Sequence, residues 1–141
     1  MEHVHVASDP RIFVFGSNLM GIHGAGAARY AAMQLGAESC FGEGPMGKRH
    51  PLSPPRCYAL PTCSAPGRPL ELSEVARYVQ RFLEYAAALL DIMPDERFFV
   101  SAVGCGIAGF TEAQIAPLFA NAPSNCDLPP GWRTHGAQQV A

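Results

Sequence analysis

The sequence predicts one α/β domain: a mainly parallel sheet with a mixed edge, covered by helices on both sides in a three-layer α/β/α arrangement. Three observations carry that expectation. Apolar runs at Ile12–Phe15, Cys57–Leu60 and Arg97–Val103 alternate with segments of helical periodicity, in the order βαβαβα. The first run is apolar throughout, as a strand covered on both faces should be. The first and third lead into glycine-rich turns, and no internal repeat divides the 141 residues.

Along the chain, Val4–Val6 reads as a short edge strand before Ser8-Asp9-Pro10 turns into the first strong strand. Ala25 to Leu35 reads as a helix of mostly small residues, stopped by Gly36. Residues 42–56, rich in Gly, Pro and basic side chains, read as a long loop. Cys57–Leu60 is the second strand, closed by Pro61-Thr62, and Ser64–Pro69 is a further loop. The longest helix is expected from an N-cap at Ser73 to Leu90, with Val75, Tyr78, Val79, Phe82, Leu83, Ala86 and Leu90 on one face. Arg97–Val103 is the third strand. Thr111-Glu112-Ala113-Gln114 matches a capping box, so a last helix starts there and Pro117 bends or shortens it. The domain spans 1–141, with 121–141 an irregular C-terminal tail packed on the body through Trp132.

Composition narrows the function. With 48% hydrophobic residues the chain can bury one core, and a net charge of −2 without a basic run speaks against general nucleic-acid binding. No apolar stretch is long enough to span a membrane, and the N-terminus lacks a secretory pattern, so a cytoplasmic protein is expected. The five cysteines include no C-x-x-C pair, and His3 and His5 lack a third ligand. Neither a metal site nor a cofactor is expected.

The chemistry concentrates in the two glycine turns. Gly16-Ser17-Asn18 ends the first strand, and His23-Gly24-Ala25-Gly26 opens the first helix. Gly104-Cys105-Gly106-Ile107-Ala108-Gly109-Phe110 follows the third strand. Such turns aim bare backbone N–H groups, and the positive end of a helix dipole, at one place. On a parallel sheet both lie at the same carboxyl edge, which suits a ligand with two phosphates. Glycines chosen for turn geometry alone account for one such turn better than for two. Asn18 either bonds its own loop or orients a ribose hydroxyl or a water. His23 is either an exposed loop residue or a phosphate contact, and Phe110 either an apolar plug or a wall beside a sugar.

Two pattern matches are decoys. Gly42-Glu43-Gly44-Pro45-Met46-Gly47 fits G-x-G-x-x-G and nearly extends to a P-loop at Lys48, but Arg49 stands where Ser or Thr is needed and prolines forbid a helix. It reads instead as a flexible loop able to fold over a ligand. Gly104–Gly109 fits the same pattern in better context, yet the next strand of a dinucleotide fold is missing and Asp127 has none to sit on.

The blocks Phe13–Asn18, His23–Ala27, Tyr58–Thr62, Gly104–Phe110 and Ile115–Phe119 resemble the small macrodomain-like proteins of phages and bacteria, over roughly Arg11 to Trp132. The resemblance implies a macrodomain fold and binding of ADP-ribose or a derivative. It implies that Asn18 and His23–Gly26 handle the distal ribose, with Thr62 near the ligand. The phosphate loop would be Gly106-Ile107-Ala108-Gly109-Phe110, in which Ala108 replaces an aromatic residue. One branch of the family cleaves ADP-ribose from glutamate with a lysine and an aspartate. Thr62-Cys63 and Ala108 stand in those neighbourhoods here, so that mechanism does not carry over. For adenine, Asp9 is the one acidic candidate.

The expected function is an ADP-ribose-binding macrodomain, whose partner is ADP-ribose or an ADP-ribosylated substrate. If it is an enzyme, it hydrolyses an ADP-ribosyl or O-acetyl-ADP-ribose bond, with Asn18 and His23 orienting the water. The other class is a non-catalytic reader or sequestering protein for such nucleotides. Nothing in the residues indicates an oligomeric state.

Overall fold

The structure, a computed structural model, describes residues 3–133. It is mixed α/β, with a six-stranded, mostly parallel sheet and three helices. The strands are β1 (Ile12–Asn18), β2 (Gly44–Met46), β3 (Cys57–Ala65), β4 (Arg68–Pro69), β5 (Phe98–Val100) and β6 (Cys126–Asp127), in the order β2-β3-β1-β5-β6 with β4 paired to β3. The three inner pairings β3·β1, β1·β5 and β5·β6 are parallel, and β2 and β4 run antiparallel to β3. The expected parallel centre with a mixed edge is present.

Alternation along the strands sends side chains to opposite faces. Ile12, Val14, Tyr58, Leu60, Phe98 and Val100 join a cluster with α2 (Leu72–Ile92), while Phe13, Phe15, Cys57, Ala59 and Phe99 join one with α1 (Gly26–Gln34). α1 runs between Ala25 and Leu35 as expected, and Gly36 follows with a φ of +78°.

Several expectations need correction. Val4–Val6 pairs with no strand; both valines are exposed, and the segment is held instead by His3, whose ring stacks on Phe99 at 3.9 Å. β2 lies inside the segment read as loop, and β3 continues through Pro61 to Ala65. Pro61 fits there because β2 pairs only as far as Ala59 and β4 starts opposite Cys63, so no strand on that side needs its missing N–H. α2 begins earlier than expected: Glu71, not Ser73, is the N-cap, in a capping box with Glu74. β5 stops at Val100, where Ser101 turns away with its N–H and Oγ both donating to the Val14 carbonyl.

The tail is less irregular than its prolines suggest. Cys126–Asp127 adds β6 alongside β5, and Arg97 binds Asp127 through Nη2 at 2.5 Å. Asp127 therefore does sit on a strand, where it is held by arginines rather than free for a ligand. Trp132 is buried against Phe119. Residues 134–141 of the expected tail lie outside the described residues. No helix among the described residues is long and apolar enough to cross a membrane.

Candidate functional site

Because β1, β3 and β5 are parallel, their carboxyl ends share one edge. The segments Gly16–Asn18, Thr62-Cys63 and Ser101–Gly104 meet there around a cleft of about 370 Å³, closed on its other sides by the start of α1, the Pro66-Gly67 hairpin tip and Gly106–Ala108. The two glycine turns thus face one space. Gly16 lies where they approach: a Cβ on it would stand 3.4 Å from both the Gly104 nitrogen and Thr62 Oγ1.

The turn after β5 spends some of its amides on itself. Cys105 N–H donates to Ala102 O, Gly109 N–H to Gly106 O, and Phe110 N–H to Gly104 O. The amides of Gly106, Ile107 and Ala108 have no acceptor among the described residues, and all three residues line the cleft. Opposite them, Ala25 provides no side-chain cap for α1. The amides of Gly24, Ala25 and the first helical turn likewise lack acceptors among the described residues. The nine-residue α1 adds its dipole. The second turn has no such helix behind it, because α3 (Glu112–Ile115) is a single turn that is capped by Thr111 and Gln114 and passes into a 3₁₀ turn at Pro117.

Gly24 and Gly106 are the most informative walls. Neither has a positive φ, and a Cβ on either would meet no atom within 4 Å. Turn geometry does not demand glycine there. Both positions are open to the cleft.

Of the residues expected at a site, Gly16, Ser17, Asn18, Gly24, Ala25, Gly26, Thr62, Gly104, Gly106, Ile107 and Ala108 line the cleft together. Cys105, Gly109, Phe110 and His23 do not. Cys105 and Phe110 pack against the core on the α2 side, and burial, then the Glu112 carboxylate, push the Cys105 thiol up. Phe110 is thus the plug under the turn. His23 turns away: its Nε2 donates to the carbonyls of Glu38 and Phe41 at 3.0 and 3.2 Å. Asn18 closes its own loop, donating from Nδ2 to Ile22 O at 2.8 Å and accepting from Ile22 N–H at 3.1 Å. Asp9, the candidate for adenine, is engaged by Arg11 through Nη2 at 2.6 Å and is no part of the cleft.

The segment 42–47, read as a flexible loop able to fold over a ligand, begins instead, with residues 38–41 before it, as a strap behind the β1 loop. Ser17 Oγ donates to Gly42 O, Cys40 N–H donates to Gly21 O, and a Cβ on Gly42 would collide with the Asn18 carbonyl. Ile22, Cys63, Pro66, Gly67 and Ser101–Val103 are walls that sequence reasoning missed. The Pro66-Gly67 pair between two strand-capable stretches was the available signal for the hairpin.

No family model matches the chain, and no curated protein or solved structure matches it. The chemistry follows from the cleft's own atoms. The described lining offers hydroxyls, one amide, one thiol and open N–H groups, but no carboxylate, imidazole, amine or guanidinium. A larger depression of about 590 Å³ lies between Arg97 and Arg133. Its guanidiniums are already spent on Asp127 and on the carbonyls of Ala122, Pro123, Ser124 and Cys126.

Proposed function

We propose that the protein binds ADP-ribose or a close derivative in this cleft, in a three-layer fold of the macrodomain kind. The observation that carries the reading is the pair of open glycines, Gly24 and Gly106, beside amides with no acceptor among the described residues. A diphosphate placed there is met from two sides by main-chain donors, and the open Cβ positions allow its oxygens to come within hydrogen-bonding distance. A space of about 370 Å³ is within the range of small-molecule sites.

Binding without turnover is the form of this function that the lining favours. It brings no acid or base to the ligand, and His23 is committed to the carbonyls of Glu38 and Phe41. The protein then reads or sequesters ADP-ribose-type nucleotides. Hydrolysis of an ADP-ribosyl or O-acetyl-ADP-ribose bond would have to rely on Asn18 to orient water and on the ligand's own phosphate as base.

Calorimetry with ADP-ribose tests the reading, and micromolar or tighter binding is expected. No heat and no thermal shift at millimolar ligand would remove it. Incubation with ADP-ribosylated protein and with O-acetyl-ADP-ribose then separates reader from hydrolase.

A further inference from the structure

The amino ends of β1, β3 and β5 share the sheet edge opposite the cleft, and they too border a cavity. It measures about 290 Å³ and lies between the segment before β1, Glu96 before β5, and the loop that leads into β3. Part of its charge is already matched. Asp9 accepts from Arg11 Nε with both oxygens at 3.1 Å and from Nη2 at 2.6 Å. The rest is not. Arg56 gives Nη2 to Gln34 O at 2.8 Å, and its Nε and Nη1 have no acceptor among the described residues. The Arg49 guanidinium and the Glu96 carboxylate have no partner among them either, although both line this cavity. The loop that carries Arg49 is nevertheless held in place. Ser53 Oγ accepts from the Arg49 and His50 N–H groups at 3.1 Å and donates to His50 O at 2.8 Å.

We infer that this cavity is a second binding site, for a small zwitterion with the charge pattern of a free amino acid. Arg49 and Arg56 take its carboxylate, and Glu96 takes its ammonium group. Charges of both signs that line one cavity without pairing to each other leave room for a ligand that carries both. A simple anion answers the arginines but faces Glu96, and a simple cation meets the reverse conflict. Leu35, Pro54 and Pro55 add an apolar wall for the carbon atoms of a side chain. The space is at the lower end of the range for small-molecule sites, which suits an amino acid better than a nucleotide. The inference does not depend on what fills the cleft.

The test is thermal shift and calorimetry on the full chain with the standard amino acids, at up to about 10 mM. At least one should bind. For the tightest, the N-acetyl form keeps only the carboxylate and the amide form only the ammonium, so each should bind about tenfold more weakly or worse. Glu96→Gln should weaken the zwitterion and spare the N-acetyl form. Arg49→Gln should weaken the zwitterion and spare the amide form. Neither side chain holds another described residue, so both variants should melt as the wild type does. Binding by no amino acid, or unchanged affinity in both variants, would overturn the inference. So would inorganic phosphate or the N-acetyl form binding as tightly as the zwitterion, which would mean a general anion site. Amino-acid affinity lost in Gly106→Ala would place the ligand in the cleft instead and overturn it too.

Discussion

Gly16 at the end of β1 lies against Gly104 of the second turn: a Cβ on Gly16 would sit 3.4 Å from the Gly104 amide nitrogen. That approach brings the two turns around one space instead of two. Gly104 is crowded in its own right, with a φ of +77° and both Ile115 Cδ1 and Phe110 Cδ2 3.3 Å from its Cβ position. Gly24 and Gly106 are the opposite case, with ordinary backbone and no neighbour.

These two kinds of glycine should separate cleanly by mutation. Gly104→Ala forces a left-handed φ on alanine and crowds the turn, so it should cost about 1–3 kcal/mol of stability. Gly24→Ala and Gly106→Ala have no such conflict and should leave stability unchanged or raise it by about 0.4–1 kcal/mol. Each should nevertheless weaken ADP-ribose binding about tenfold or more, because the new methyl takes space meant for the ligand. Urea unfolding and calorimetry on the same samples give both numbers. Unchanged affinity in both open-glycine variants would mean that the ligand does not lie between the turns.

How much of this was legible in the sequence depends on the range of the interactions. β1 and α1 were readable to within a few residues because an all-apolar run and a glycine stop are local signals. β2, β4 and β6 were not, since strands of two or three residues carry no periodicity, and they form only because β3 and β5 offer edges to pair with. The convergence of the two turns followed from parallel topology alone. The roles of single residues did not. His23 faces the Glu38 and Phe41 carbonyls, 15 and 18 residues away, and no local pattern states where that strap will land. Glu71 took the cap from Ser73: it forms a capping box with Glu74, a pairing that the signal at Ser73 did not state.

The cleft's charge balance gives a second prediction. The described lining carries no formal charge of either sign. On the proposed function, a diphosphate bound there would be met by N–H dipoles, which release few counterions and need no bridging cation. Affinity for ADP-ribose should be the same with magnesium or with a chelator, and should fall less than about threefold between low and physiological salt. A requirement for magnesium would contradict this cradle.

Asp9 supplies a pH dependence remote from the site. Its carboxyl is held down from 3.8 to about 2, chiefly by hydrogen bonds from the Arg11 side chain, against an opposing effect of burial. Asp127 is lowered too, first by Arg97 and then by Arg11. A carboxyl depressed in the folded state adds stability above its unfolded value and loses it as pH falls through the folded value. Stability should therefore drop between pH about 4 and about 2. Asp9→Asn should cost about 1–2 kcal/mol near neutrality and little at the acid end. Urea titrations of both proteins across that range measure the difference.

Asn18 offers the sharpest separation of architecture from chemistry. It is buried, and both ends of its amide are committed to Ile22, so the side chain acts as a clasp for the loop that forms one cleft wall. Asn18→Ala leaves the Ile22 N–H and C=O without these partners and should cost about 1–3 kcal/mol. Affinity for ADP-ribose should fall with it, because the wall loosens. Asn18→Asp keeps the acceptor for Ile22 N–H but sets two oxygens near Ile22 O and adds a negative charge to an uncharged cleft. It should therefore bind the diphosphate more weakly than the alanine variant, even where its fold is as stable. A purely catalytic Asn18 predicts another pattern: full stability and full affinity in both variants, with only turnover lost. Melting curves, titrations and a hydrolysis assay on the two proteins distinguish a clasp from a catalyst.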